Sequence, residues 1–394
     1  MATFPLLRDA PKTLRRPPAR PKQTSLTLFP TAARHGLCES PYEASAPTPA
    51  PRRGTKPATE LVGIARLAAS SPRADAKRGT EYFLLPVKSI LNHCDSKHVP
   101  FRWTVNPYRG CEFGCHYCYA RYTHEFMEID GDSFESQIYA KKDAGKLADW
   151  DLSNEKVWGE HIAIGTATDP YQPAEREFGA TRAILEKMAL REGLSVSLTT
   201  KSNRVVRDID LLKQISERSS LSVNLSITTA RTSIARALEP RAPRPDLRFG
   251  AVRELRDNGI AAGVLAMPIV PGITDGEDDM DALAKAARDA GAQWFAANVL
   301  YLRSASLKHF IDFIGREFPK LGRQYADWYG RYGNAPESYR KQITERVRNL
   351  REKYGLGARL PIASAKSWKS PQMNLQLNQG DSDAPNQNRY TTNW

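Results

Sequence analysis

The sequence predicts an α/β fold: a partial (β/α)6 barrel of the TIM type with parallel strands, preceded by a disordered N-terminal leader and followed by a C-terminal helical extension. Three observations predict it. Six short, apolar, β-rich runs lie between residues 101 and 300, amphipathic helical patterns alternate with them, and glycines stand where those helices should stop. Parallel neighbours need a crossover, and a helix is the usual one, so the alternation places helices outside a parallel sheet. Six units in place of eight make the barrel a partial one.

The elements follow in chain order. Residues 1–58 hold eleven of the 27 prolines and ten Lys+Arg against three Asp+Glu, in runs such as "RRPPARPK" and "SAPTPAPRRG". Too few apolar positions recur there to build a core, so this leader is read as a solvated basic tail or a weak nucleic-acid tether. The strand candidates are "FRWTV" (101–105), "HIAIGTA" (161–167), "LSVSLTT" (194–200), "LSVNLSITT" (221–229), "AAGVLAMPIV" (261–270) and "QWFAANVL" (293–300). Helical spacing fills the gaps with "AEREFGATRAILEKMALREG", "DIDLLKQISER", "RFGAVRELRDNG" and "MDALAKAARDAG", and Gly193, Gly259 and Gly291 mark the stops. Residues 85–302 are thus expected to form the barrel, 303–368 a helical extension, and the Asn- and Gln-rich 369–394 a flexible tail.

Composition sets outer bounds. With 394 residues, 41% of them hydrophobic, the chain can bury a large core. No run of about 18 apolar residues is present and the N-terminus is charged, so neither a membrane span nor secretion is expected and the cytoplasm is the default compartment. The net charge of +13 suits an anionic partner such as nucleic acid, although the leader supplies about +7 of it (ten basic less three acidic residues).

Five cysteines do not make a disulfide framework for a chain this long, and three of them fall in "GCEFGCHYCYAR" (110–121). Cys111, Cys115 and Cys118 follow the first strand candidate, in the loop at its C-terminal end, where sites in such sheets lie. The C-x3-C-x2-C spacing lets one loop wrap a metal, and thiolates select zinc, copper or iron–sulfur clusters. A structural zinc needs a fourth ligand, for which His116 and His124 are candidates; a [4Fe–4S] cluster on three cysteines leaves one iron open. Cys94 is expected to be an inert packed thiol.

The cysteine loop, with Tyr117 before its last cysteine and a strand ahead of it, resembles the radical S-adenosylmethionine (SAM) superfamily. "CHYCYAR", "TATDPYQPAE", "LTTKSNRVVRDIDLL", "LSVNLSITT", "LEPRAPRPDLRFGAV" and "MPIVPGITD", in this order, resemble its spore photoproduct lyase-like branch over about residues 85 to 300. "NPYRGCEFGCHYCYARYTHEF" is similar to uncharacterised bacterial members. The resemblance implies a [4Fe–4S] cluster on Cys111, Cys115 and Cys118, SAM as cosubstrate, and an electron donor of flavodoxin or ferredoxin type. It implies Lys201 for the methionyl carboxylate, where a charge-assisted bond compensates desolvation, and Ser226 or Thr228 for the carboxylate or ribose. Asp169 stands where the superfamily meets the methionyl ammonium, but in "GTATDP" in place of Gly-Gly-Glu; it also reads as a turn residue. Arg248 could reach the cofactor or a phosphate, or could pair with Glu239 to pin a proline-rich loop. Tyr117 and Tyr119 match the tyrosine pair beside the lyase cluster, as hydrogen relays or as a wall against solvent.

One departure is informative. Thr166 stands where the lyase has the cysteine that donates hydrogen to the substrate radical, and a hydroxyl is a poor donor to a carbon radical. Repair of the spore thymine dimer is therefore not the expected activity. The reading is a radical SAM enzyme acting on an unidentified substrate, with nucleic acid or a nucleotide as the class the charge and the lyase-like branch favour. Its alternatives are a radical SAM enzyme modifying a protein or peptide, and a non-catalytic zinc-stabilised nucleic-acid-binding module.

Overall fold

All six predicted runs become strands: β1 (Trp103–Val105), β2 (His161–Ile164), β3 (Ser195–Thr200), β4 (Ser220–Ser226), β5 (Ala262–Ile269) and β6 (Phe295–Val299). A computed structural model describes residues 60–358 except 78, 97–98, 304 and 331–332, so the leader 1–58 and the tail 369–394 lie outside the described residues. The six strands neighbour one another in chain order, every pair parallel. A short strand, Leu91–His93, pairs antiparallel with β1 and forms the far edge.

The period of two along each strand separates two environments. Ile162, Ile164, Val196, Leu198, Val223, Leu225, Val264 and Ala266 point to the helices and build the main core. The alternate positions are small or polar and bond to one another: the two ring nitrogens of His161 lie 2.8 Å from Ser195 Oγ and 2.8 Å from Ser197 Oγ. Asn224 Oδ1 accepts from Trp294 Nε1 at 3.1 Å. Gly263 belongs to the same face; a Cβ there would fall 2.3 Å from the Trp294 ring, so the strand needs glycine for the indole to lie on it.

The crossover helices are α1 (Ala180–Ala189), α2 (Ile209–Arg218), α3 (Pro245–Asp257) and α4 (Glu277–Asp289). The long pattern expected after β2 is broken: Glu175–Phe178 forms one turn, and Gly179 at φ 58° redirects the chain into α1. Gly259 and Gly291 follow α3 and α4 as expected.

Beyond β6 come α5 (Ala305–Glu317), α6 (Gly322–Tyr329) and α7 (Glu337–Tyr354). They serve two different cores. From α7, Ile343, Val347 and Leu350 enter the main core. From α5 and α6, Phe310, Phe313, Ile314, Tyr325 and Tyr329 form a second core that also contains Cys111, Cys115 and Tyr117. The extension therefore packs against the cysteine loop as well as the barrel.

A second sheet has no counterpart among the sequence expectations. Its four strands run in the order Arg73–Lys77, Thr80–Leu85, Gln137–Lys141, Tyr108–Arg109, with mixed pairing. Two of them come from the connection between β1 and β2, which therefore passes through this sheet before reaching a helix at Ala144–Asp151. Cys94 is wholly buried, clustered with Val99, Phe101 and Ala163. No described helix is long and apolar enough to cross a membrane.

Candidate active site at the cysteine loop

The loop after β1 is shaped by its neighbours on both sides. Gly110 turns it at φ 82°, where a Cβ would meet the carbonyl oxygens of Gln137 at 2.7 Å and Phe134 at 2.8 Å. Cys111 N–H donates to Phe134 O at 2.9 Å. Gln172, in the segment after β2, donates to Gly110 O at 3.0 Å and accepts from Glu112 N–H at 2.9 Å. Glu112 is itself buried and accepts from Ala174 N–H at 2.7 Å and Tyr82 Oη at 2.9 Å. Across the loop, His116 N–H donates to Leu238 O at 3.0 Å and Arg241 N–H to Phe113 O at 3.2 Å.

All three cysteines are free; Cys111 and Cys115 are buried and Cys118 is half-buried. Burial pushes the Cys111 thiol well up and the Cys115 thiol to about 12. Uncoordinated, they stay protonated; a bound soft metal would take them as thiolates. Neither histidine proposed as a fourth zinc ligand completes the set. Nδ1 of His116 faces Nε2 of His309 at 3.1 Å, and its ring stacks on Phe313 with centroids 4.2 Å apart. His124 is wholly buried, with Nε2 2.9 Å from Gln137 O. Among the described residues, no three or more His, Cys, Asp and Glu converge to hold a single metal ion. The donor set is thus three sulfurs on one loop, which fits an iron–sulfur cluster with one iron left without a protein ligand.

Strand ends bring the remaining residues together. Lys201 follows β3; its ammonium has no acceptor among the described residues and lies 5.6 Å from the Tyr117 ring centre. Burial opposes its charge, but Cys115 and Glu239 nearby outweigh that and raise its pKa. Ser226 ends β4, buried, and its hydroxyl bonds to no described residue. Thr228 is already engaged: it donates to Glu239 Oε1 at 2.7 Å. Of the two hydroxyls proposed from sequence, only Ser226 is thus free to meet a ligand.

Asp169 organises the turn between β2 and β3. Its Oδ1 accepts from Thr200 Oγ at 2.6 Å and Tyr171 N–H at 2.9 Å, and its Oδ2 from Lys201 N–H at 2.7 Å. Burial raises its pKa while these bonds oppose the rise. Arg248 pairs with Glu239 and also donates to Pro243 O at 2.7 Å and Ser226 O at 3.0 Å, so its guanidinium is engaged inside the protein.

The two tyrosines point apart. The Tyr117 hydroxyl donates to Glu239 and lies 3.0 Å from Thr228 Oγ1. The Tyr119 hydroxyl donates to the carbonyl of Thr166, whose own hydroxyl accepts from Asn106 Nδ2 at 3.0 Å. Tyr119 and Thr166 are therefore neighbours. Sequence reasoning quoted Gln172 and Glu112 within its motifs but gave them no role. It also missed buried Arg121, which pairs with Glu135 at 2.8 Å and approaches His309 Nε2 at 3.2 Å. Each bonds across a long sequence gap, which no local pattern reveals.

Comparison with known proteins bears on the family and the fold. The profile of the radical SAM superfamily matches residues 105–284, from the end of β1 into α4. The uncharacterised protein Rv2578c of Mycobacterium tuberculosis (strain ATCC 25618 / H37Rv) is 32% identical over 305 residues, covering 77% of this chain and 88% of its own. The uncharacterised protein MJ0683 of Methanocaldococcus jannaschii is 32% identical over 176 residues, 45% of this chain and 63% of its own. Among solved structures, a spore photoproduct lyase mutant with bound AdoMet and dinucleoside spore photoproduct superimposes with a TM-score of 0.55 at 13% identity, over 76% of this chain and 87% of that one. At that identity the likeness is one of fold.

Proposed function

Because the chain belongs to the radical SAM superfamily, we propose that it is a radical SAM enzyme with a [4Fe–4S] cluster on Cys111, Cys115 and Cys118. The observation that carries this reading is the set of three free thiols on one fixed loop, beside a lysine and a serine whose polar groups hydrogen-bond to no described residue. When bound, the cluster and SAM supply an electron and a 5′-deoxyadenosyl radical able to take hydrogen from an unreactive C–H bond.

The chain's own residues bind, orient and shield. Lys201 offers an ammonium at the end of β3 and Ser226 a hydroxyl at the end of β4, neither hydrogen-bonded to any described residue and both suited to the methionyl carboxylate. Asp169 fixes the backbone at Lys201 through Oδ2, which supports a positioning role. Arg248 supports the pocket from behind by holding the Ser226 carbonyl and Glu239. Tyr117 and the second core, with Phe310 and Phe313, exclude water from the loop's inner side. Tyr119 stands over Thr166 and so borders the place where a thiol would have quenched a substrate radical. With a hydroxyl there, the reaction ends elsewhere than in thymine-dimer repair.

The net charge of +13 supports a nucleic acid or nucleotide as the substrate class, and the reducing electron is proposed to come from a flavodoxin- or ferredoxin-type donor. The test is anaerobic iron–sulfide reconstitution followed by assay for 5′-deoxyadenosine with dithionite and SAM. A brown protein forming 5′-deoxyadenosine, with both colour and product lost in Cys115→Ala, is the expected result. A colourless protein that keeps zinc and leaves SAM intact sinks the proposal.

A further inference from the structure

Beneath the cysteine loop lies a set of buried charges that cofactor binding does not use. Glu239 and Arg248 pair with side chains 0% and 1% exposed. On its other oxygen Glu239 accepts from Thr228 Oγ1 at 2.7 Å and from the Tyr117 hydroxyl. Tyr117 sits between Cys115 and Cys118 in the chain, and the residue before Glu239 accepts the His116 N–H at 3.0 Å. The carboxylate is therefore bonded to the cysteine loop through a side chain, and lies beside it through the backbone.

An arginine on one oxygen and two hydroxyl donors on the other keep Glu239 ionised out of water. Such a charge acts over several ångströms in a medium of low dielectric constant. Two cations, Lys201 and Arg248, stand around it, so its loss would leave their charge less balanced next to the thiols.

We infer that Glu239 is a positioning residue whose buried charge makes an iron–sulfur cluster on Cys111, Cys115 and Cys118 harder to reduce, while its bond to Tyr117 fixes the loop. The inference rests on the proposal that such a cluster binds there. Charge and hydrogen bonding around the sulfurs are among the levers that set cluster potentials.

The experiment is a redox titration, followed by electron paramagnetic resonance, of reconstituted wild type and Glu239→Gln. The expected result is a midpoint potential shifted upward in Glu239→Gln at equal iron content, with Glu239→Asp returning toward wild type. An unchanged potential at equal iron content makes the residue a structural bond only and overturns the inference. Should Glu239→Gln not retain iron, Thr228→Val removes one donor from the carboxylate at little change in volume. Its charge is then less compensated and the potential must fall; no shift there overturns the inference equally. A wild type that takes up no cluster defeats the earlier proposal instead, so the two failures are distinguishable.

Discussion

His124 shows how a single buried side chain ties stability to pH. It is wholly buried, bonds Gln137 O through Nε2, and leaves Nδ1 without a partner among the described residues. Burial drives its pKa down to about 4, against about 6.5 in the unfolded chain. The folded state therefore keeps the ring neutral while the unfolded state protonates. As pH falls from 6.5 toward 4, stability should drop by up to about 3 kcal/mol, and the contribution levels off below that. Denaturant unfolding at pH 7 and pH 4.5 checks this: His124→Gln, which can still donate to the Gln137 carbonyl, should lose less stability between the two pH values than wild type. Sequence alone offered this histidine as a zinc ligand, because proximity to the cysteines along the chain was the only measure at hand. What removes it from that role is a strand, Gln137–Lys141, that no local pattern announced.

Elements were legible where one face of a strand or helix is apolar. The six parallel strands were, because apolar residues recur on the face that meets the helices. The second sheet was not: "RADAK" carries no β pattern, and Tyr108–Arg109 is two residues long. Such strands exist because a neighbour supplies the ladder, and the neighbour is distant in sequence. The C-terminal helices were legible as helices, but their division between two cores was not. That division yields a contrast. Leu350 of α7 lies in the main core, so Leu350→Ala should cost about 2–4 kcal/mol in denaturant unfolding. Lys353, three residues on, bonds Asp281 at 2.6 Å on the surface, and Lys353→Ala should leave the unfolding midpoint close to that of wild type.

At the scale of the whole molecule, charge is unevenly shared: about +7 of the net +13 belongs to residues 1–58. If a polyanion is the partner, much of the affinity is electrostatic and resides in that segment. Binding of single-stranded oligonucleotide should weaken steeply with salt, and removing residues 1–58 should flatten the log–log dependence by several phosphate contacts. A slope unchanged by the truncation would place the contact on the barrel. The charge total was readable from composition, and the three cysteines from their spacing. Their surroundings were not, since Gln172, Leu238, Glu239 and Arg241 reach the loop from far along the chain.

That last feature also sets an order in time. The ribosome releases Cys111, Cys115 and Cys118 long before Leu238 and Arg241, whose backbone closes the loop's far side. At 5–20 residues per second the interval is on the order of ten seconds. Throughout it the thiols are present and the enclosure is not, so oxygen and stray metal ions have their opportunity before the seat proposed for a cluster is finished. For this protein, keeping the newly made chain away from air is a matter of synthesis as much as of storage.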